Sequence, residues 1–87
     1  MDFSRITLDA AHRHAANHRA DLERSDVCAC IFCEKTFTVS DVDEWVKDEG
    51  GTALCPYCGV DSVIGSASGF PIADANFTRA MHDRWFG

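Results

Sequence analysis

Cys30-Ile31-Phe32-Cys33 and Cys55-Pro56-Tyr57-Cys58-Gly59 are two Cys-x-x-Cys hooks separated by residues 34–54. A metal ion needs donors that converge on one point, and a two-residue turn aims two sulfurs at the same spot. Two such turns, brought together by folding, supply a tetrahedral cage of four thiolates from Cys30, Cys33, Cys55 and Cys58. The intervening stretch runs just past the usual zinc spacing of about 15–20 residues. Four sulfurs leave no position for water or substrate, so the pattern predicts one structural Zn2+ per chain, not a catalytic ion.

The rest of the composition fits a metal-bound domain. Eighty-seven residues, 46% of them hydrophobic, suit one folded unit rather than a disordered chain. A chain of this size buries only about 60–65% of its unfolded surface, which leaves its core marginal. Structural zinc supplies on the order of 10–16 kcal/mol in small peptides at neutral pH. Metal binding and folding are therefore expected to be one event.

Five cysteines also raise the question of disulfides. Met1-Asp2-Phe3-Ser4-Arg5 carries no basic region followed by an apolar run, and no stretch reaches membrane-spanning length. The expectation is a cytoplasmic protein without a membrane partner, where paired hooks read as metal sites. The net charge is −6. Four thiolates and a divalent ion take it to about −8, the wrong sign for non-specific nucleic-acid binding.

Upstream of the hooks, Thr7 to Arg24 reads as one helix. Thr7 is the candidate cap, five alanines favour the helix, and Leu8, Ala11, Ala15 and Leu22 form a thin apolar stripe. On this helix His14 and His18 are spaced i, i+4, as helical metal ligands are. With Asn17 they are either polar residues bonded to the neighbouring module, partner contacts, or a second site. Cys28 precedes the first hook and is either a small buried apolar residue, a spare ligand or a redox thiol.

Phe37-Thr38-Val39 has strand character, and Ser40 to Asp43 resembles a helix cap. A two-turn helix is expected from Asp41 to Lys47, burying Val42, Trp45 and Val46 and ending at Gly50-Gly51. Thr52–Leu54 and Gly59–Ile64 read as strands around the second hook, and residues 65–69 as a flexible connector. A last helix, about Ala73 to Phe86, carries the apolar stripe Phe77, Ala80, Met81 and Trp85. From Glu34 to Glu49 six acids face two lysines, either a solvated surface or a patch for a basic partner.

The fold class expected is therefore a small α+β metal-bound domain. It has a zinc-ribbon-like β core with two knuckles, flanked by an N-terminal helix, a short middle helix and a C-terminal helix. Residues 1–87 form one domain: a helical segment over 1–26, the ribbon over 27–65, and a loop with the last helix over 66–87.

Several runs together resemble a family of small uncharacterised bacterial cytoplasmic proteins of zinc-ribbon type. The likeness is carried by His14-Ala15-Ala16-Asn17-His18-Arg19, Cys28-Ala29-Cys30-Ile31-Phe32-Cys33 and Glu44-Trp45-Val46. It is most specific from Thr52 through Leu54-Cys55-Pro56-Tyr57-Cys58-Gly59-Val60-Asp61-Ser62-Val63-Ile64-Gly65 to Ile72, and closes with Met81-His82 and Trp85-Phe86. The resemblance implies a zinc ribbon with helical flanks and brings no activity with it. Ala73 stands where that family has a capping Thr, which leaves Asp74 as the cap.

The leading functional expectation is a non-enzymatic zinc protein that acts as an adaptor or regulator by binding another protein. Electron transfer is the alternative, with iron in the cage, because Cys-Pro-Tyr-Cys-Gly is similar to a rubredoxin hook. Glu34 stands where the first hook would need the matching glycine. A nucleic-acid-binding ribbon, or an enzyme using His14, Asn17, His18 and Cys28, ranks below these.

Overall fold

The strand Cys28–Cys30 (β1) is the middle of a three-stranded antiparallel sheet, and its alternation divides the molecule into two cores. A computed structural model describes residues 3–87. Thr36–Phe37 (β2) flanks β1 on one edge, and Val63–Gly65 flanks it on the other. Successive strand residues point to opposite faces, and antiparallel partners share a face. Ala29 pairs with Ile64, and these two belong to one buried cluster. Cys28 and Cys30 pair with Gly65 and Val63, and both cysteines belong to the other cluster with Val63 and Phe37.

The helices Arg5–His12 (α1) and Ala75–Phe86, the last in the chain, cover the Ala29–Ile64 side. Leu8 and Ala11 of α1 meet Phe77 and Met81 of the last helix, with Ile31, Ile72 and Ala15 filling between. Phe77 is fully buried, and such burial stabilises by roughly 1.5–3 kcal/mol. The last helix starts where a side chain can satisfy a free N–H: Asn76 N–H donates to Asp74 Oδ1 at 2.9 Å. At the other end of the pair, Arg84 Nε donates to Asp9 Oδ1 at 3.2 Å and His12 stacks on Trp85 at 3.9 Å between centroids.

The single N-terminal helix expected from Thr7 to Arg24 is instead two. Ser4 caps α1, accepting the Thr7 N–H at 3.1 Å. A 3-10 turn at Arg13–Ala15 follows, Ala16 is extended, and a second helix, α2, runs Arg19–Glu23. Asn17 between them sits at φ 52, a left-handed conformation that Asn tolerates better than most residues. The break is compensated by bonds to a distant turn. Gly50 N–H donates to Asn17 Oδ1 at 3.0 Å, and Asn17 N–H to Thr52 Oγ1 at 2.9 Å. His18 N–H donates to the Gly51 carbonyl at 2.9 Å. Alanine propensity loses to these tertiary partners. At Gly50 a side chain is excluded, since a Cβ would come within 2.6 Å of the Asn17 carbonyl oxygen.

The middle helix expected from Asp41 to Lys47 is absent. Val39–Asp41 forms a 3-10 turn capped by Thr38, whose N–H donates to Asp41 Oδ2 at 3.1 Å. Trp45–Val46 (β3) then pairs antiparallel with Thr52–Ala53 (β4), Trp45 opposite Ala53 and Val46 opposite Thr52. The capping signal is real but lies two residues earlier than Ser40, and it closes only one turn. The aromatic and β-branched pair after it favours a strand, and Gly50-Gly51 turns a hairpin rather than ending a helix.

With β3 and β4 placed, Val63–Gly65 is β5 and Ala75–Phe86 is α3. The strands expected at 37–39, 52–54 and 59–64 are shorter or shifted, because Gly59–Asp61 belongs to the second hook. Residues 66–68 form a 3-10 turn rather than a loose connector. Ser66 Oγ accepts the Asp26 N–H at 3.0 Å, and Ala67 N–H donates to Ser25 Oγ at 2.9 Å, tying the end of α2 to β5. The chain is thus a small α+β domain with helices at both ends, small antiparallel sheets and four clustered cysteines. No helix of the described residues is long and apolar enough to cross a membrane.

Candidate metal centre

Each hook closes by the same backbone bonds. Cys30 N–H donates to the Lys35 carbonyl and Glu34 N–H to the Cys30 carbonyl, at 3.0 and 2.8 Å. In the second hook, Cys55 N–H donates to the Val60 carbonyl and Gly59 N–H to the Cys55 carbonyl, at 3.0 and 2.9 Å. The residue after each second cysteine is left-handed, Glu34 at φ 64 and Gly59 at φ 80. Glycine makes that cheap at 59. At 34 the same geometry is forced on a glutamate, whose carboxylate pairs with Arg79 of α3 at 3.0 Å.

Strand β1 delivers Cys30 and strand β4 leads into Cys55, so the two sheets bring the hooks face to face. The four sulfurs lie within 4.8 Å of one another. Across the gap, Cys30 Sγ is 3.6 Å from Cys58 Sγ, and Cys33 Sγ is 3.7 Å from Cys55 Sγ. A disulfide needs about 2.05 Å. A tetrahedron with metal–sulfur bonds of about 2.3 Å has edges of about 3.8 Å. The spacing matches the second and excludes the first, so the donor set fits a single tetrahedral ion of the thiolate-binding kind.

The surroundings hold the sulfurs in place. Tyr57 N–H points at Cys55 Sγ from 3.4 Å, and the buried Ser62 hydroxyl faces Cys30 Sγ, also at 3.4 Å. Burial raises the Cys33 thiol, and burial together with the Cys30 sulfur pushes Cys58 up to about 12. Burial acts the same way on Cys55, yet the N–H groups of Cys58 and Tyr57, together with the facing Cys33 and Cys58 thiols, outweigh it and bring that thiol below its usual range. Crowding thus resists four thiolates without a cation among them, while a divalent ion reverses the balance.

Cys28 lies outside this group of four. It is fully buried in the apolar cluster with Leu22, Phe37 and Val63, and burial pushes its thiol up to about 11. A thiol in that state is a packing group.

His14 and His18 do not share a helical face, because the chain between them leaves the helix. His18 is 2% exposed. Its Nε2 accepts the Ala53 N–H at 2.9 Å, and its Nδ1 lies 2.7 Å from the His14 carbonyl. Acceptance at Nε2 puts the proton on Nδ1, the tautomer both bonds require. Asn17 is likewise spent on Gly50 and Thr52. Asn17 is exposed even so, and the half-buried His14 side chain lies 3.8 Å from Asp21 and 5.6 Å from the Phe70 ring.

Sequence reasoning passed over Ser62, and the available signal was a lone hydroxyl inside the apolar exit of the second hook. It also passed over the cleft of about 290 Å³ beside that hook, walled by Asp43, Glu44 and Tyr57 and reaching Cys55 and Cys58. Comparison with family models, with curated proteins and with solved structures gives no match to this chain.

Proposed function

We propose that the chain is a structural zinc protein of ribbon type whose metal-stapled surface binds another protein as an adaptor or regulator. The carrying observation is the convergence of Cys30, Cys33, Cys55 and Cys58 at tetrahedral spacing with all four positions filled by protein. An ion held there supplies cohesion between the two hooks and offers no open site for chemistry. Kinship with the small bacterial zinc-ribbon proteins and a cytoplasmic, reducing setting belong to the same reading, supported by the second-hook motif and by five unpaired cysteines.

The partner reading draws on the surface. Phe32 of the first hook and Phe86 of α3 are each 42% exposed and meet edge to face at 5.0 Å. Exposed aromatics in contact are typical anchors of protein interfaces. The net charge of −6 disfavours nucleic acid.

Elemental analysis of the purified chain tests the metal: one zinc per chain and a colourless preparation are expected. Iron in the cage is the second reading, favoured by the backbone N–H of Tyr57 aimed at Cys55 Sγ from 3.4 Å. Such bonds to sulfur tune redox potential. A red, redox-active protein would replace zinc with that reading. For the adaptor role, an identified cross-linked partner should be lost in Phe32→Ser/Phe86→Ser while zinc content stays unchanged.

A further inference from the structure

The four sulfurs are not equally reachable. Cys30 and Cys55 are 0% and 4% exposed, Cys33 is half-buried, and Cys58 alone is exposed. The cleft beside the second hook reaches Cys58, and its volume of about 290 Å³ admits a molecule the size of water or peroxide many times over. Asp43 and Glu44 line it, and neither carboxylate is in an ion pair among the described residues; the one cation among them set against the wall is Lys35, 4.8 Å over the Tyr57 ring, which leaves the acids in excess. An ion-loaded tetrathiolate adds further negative charge at its floor. Anionic reagents are therefore repelled from this entrance, and neutral ones are not.

We propose that Cys58 is the modification site of the metal centre, oxidised by a neutral peroxide and resolved by Cys30 into a disulfide that releases the ion. The inference rests on the metal reading above. The Cys58 thiolate attacks one peroxide oxygen and the O–O bond breaks, giving a sulfenic acid and a hydroxide that takes a proton to become water. The Cys30 thiolate, 3.6 Å away, then attacks that sulfur. The S–S bond forms, the S–O bond breaks, and a second hydroxide leaves and is protonated to water. Two thiolates together lose two electrons, peroxide gains them, and the ion keeps only two of its four donors.

The test uses the full chain, its zinc content measured first, with limiting hydrogen peroxide, a chromogenic zinc chelator and peptide mapping after alkylation. A Cys30–Cys58 disulfide as the first product, with one zinc released per disulfide, is expected. Anionic dithiobis-nitrobenzoate should react about tenfold slower than neutral dithiodipyridine at low salt. Asp43→Asn/Glu44→Gln, at two exposed positions, should narrow that gap. First oxidation at Cys33, zinc loss with Cys58 still reduced, or a reagent ratio unchanged in the double variant would overturn the proposal. A chain that carries no metal before oxidation would overturn the metal reading itself, and this inference with it.

Discussion

The His18 ring accepts the Ala53 N–H at Nε2, 2.9 Å away, and so clasps the break between α1 and α2 to strand β4. The same ring reaches the His14 carbonyl through Nδ1 at 2.7 Å. A buried imidazole with one donor and one acceptor satisfied is neutral by construction, and a second proton on Nε2 would face the Ala53 N–H.

Burial holds the His18 pKa below 6.5, outweighing the His14 carbonyl and the carboxylates of Asp21 and Asp48, which pull upward. The unfolded chain therefore binds the proton first. Stability from this group is complete above about pH 6.5 and falls as pH drops below it towards the folded value. Urea unfolding of the zinc-saturated protein between pH 7.5 and 5.5 should show that slope. His18→Gln should flatten it and cost about 1–3 kcal/mol by leaving a buried N–H without its partner.

Removal of the ion separates the cysteines by role. A chelator should abolish the cooperative melt of the native chain, given an ion contribution on the order of 10–16 kcal/mol. Cys30→Ser or Cys55→Ser should lower zinc affinity sharply in a competition assay. Cys28→Ala should keep one zinc per chain and lose about 1 kcal/mol, the scale of a small core truncation. Loss of metal in Cys28→Ala would return that residue to the ligand set.

The two left-handed positions differ in how they respond to substitution. A non-glycine residue there costs roughly 1–2 kcal/mol, and glycine itself costs roughly 0.5–1 kcal/mol in the unfolded chain. The pair from Glu34 to Arg79 is at the surface, with Arg79 61% exposed, and surface pairs contribute little. Glu34→Gly should then stabilise by about 0.5 kcal/mol, while Gly59→Ala should destabilise by about 1 kcal/mol or more. Chemical denaturation of both at saturating zinc reads the difference.

Phe77 belongs to the helical core and not to the cysteine cluster. Phe77→Ala should cost about 3–5 kcal/mol yet leave zinc stoichiometry at one. Ile6→Ala, at a position 82% exposed, should change stability by less than about 0.5 kcal/mol. Calorimetry with elemental analysis on the same samples checks both.

The hooks were legible because two cysteines two residues apart have one economical use, and the terminal helices because their apolar positions recur at helical period. The Asp74 cap was legible as well. The break at Asn17 was not, because it is set by Gly50, Gly51 and Thr52, more than thirty residues away, and local alanine content points the other way. Trp45-Val46 was misread for a related reason: a short run with a cap before it looks like a helix until its strand partner is known. The i, i+4 spacing of His14 and His18 lost its meaning once the helix between them was gone.

Half of the cage is encoded well before the other half. At synthesis rates of about 5–20 residues per second, the second hook follows the first by roughly one to five seconds. Through that interval the nascent chain has two thiols to offer, and β1 still lacks its β5 neighbour. An ion taken up early would be held by half its final donors and would exchange readily with small-molecule thiols. Coordination by all four thiolates would come only once the trailing hook, residues 55–58, has been made, so metal loading would be timed by translation of that hook.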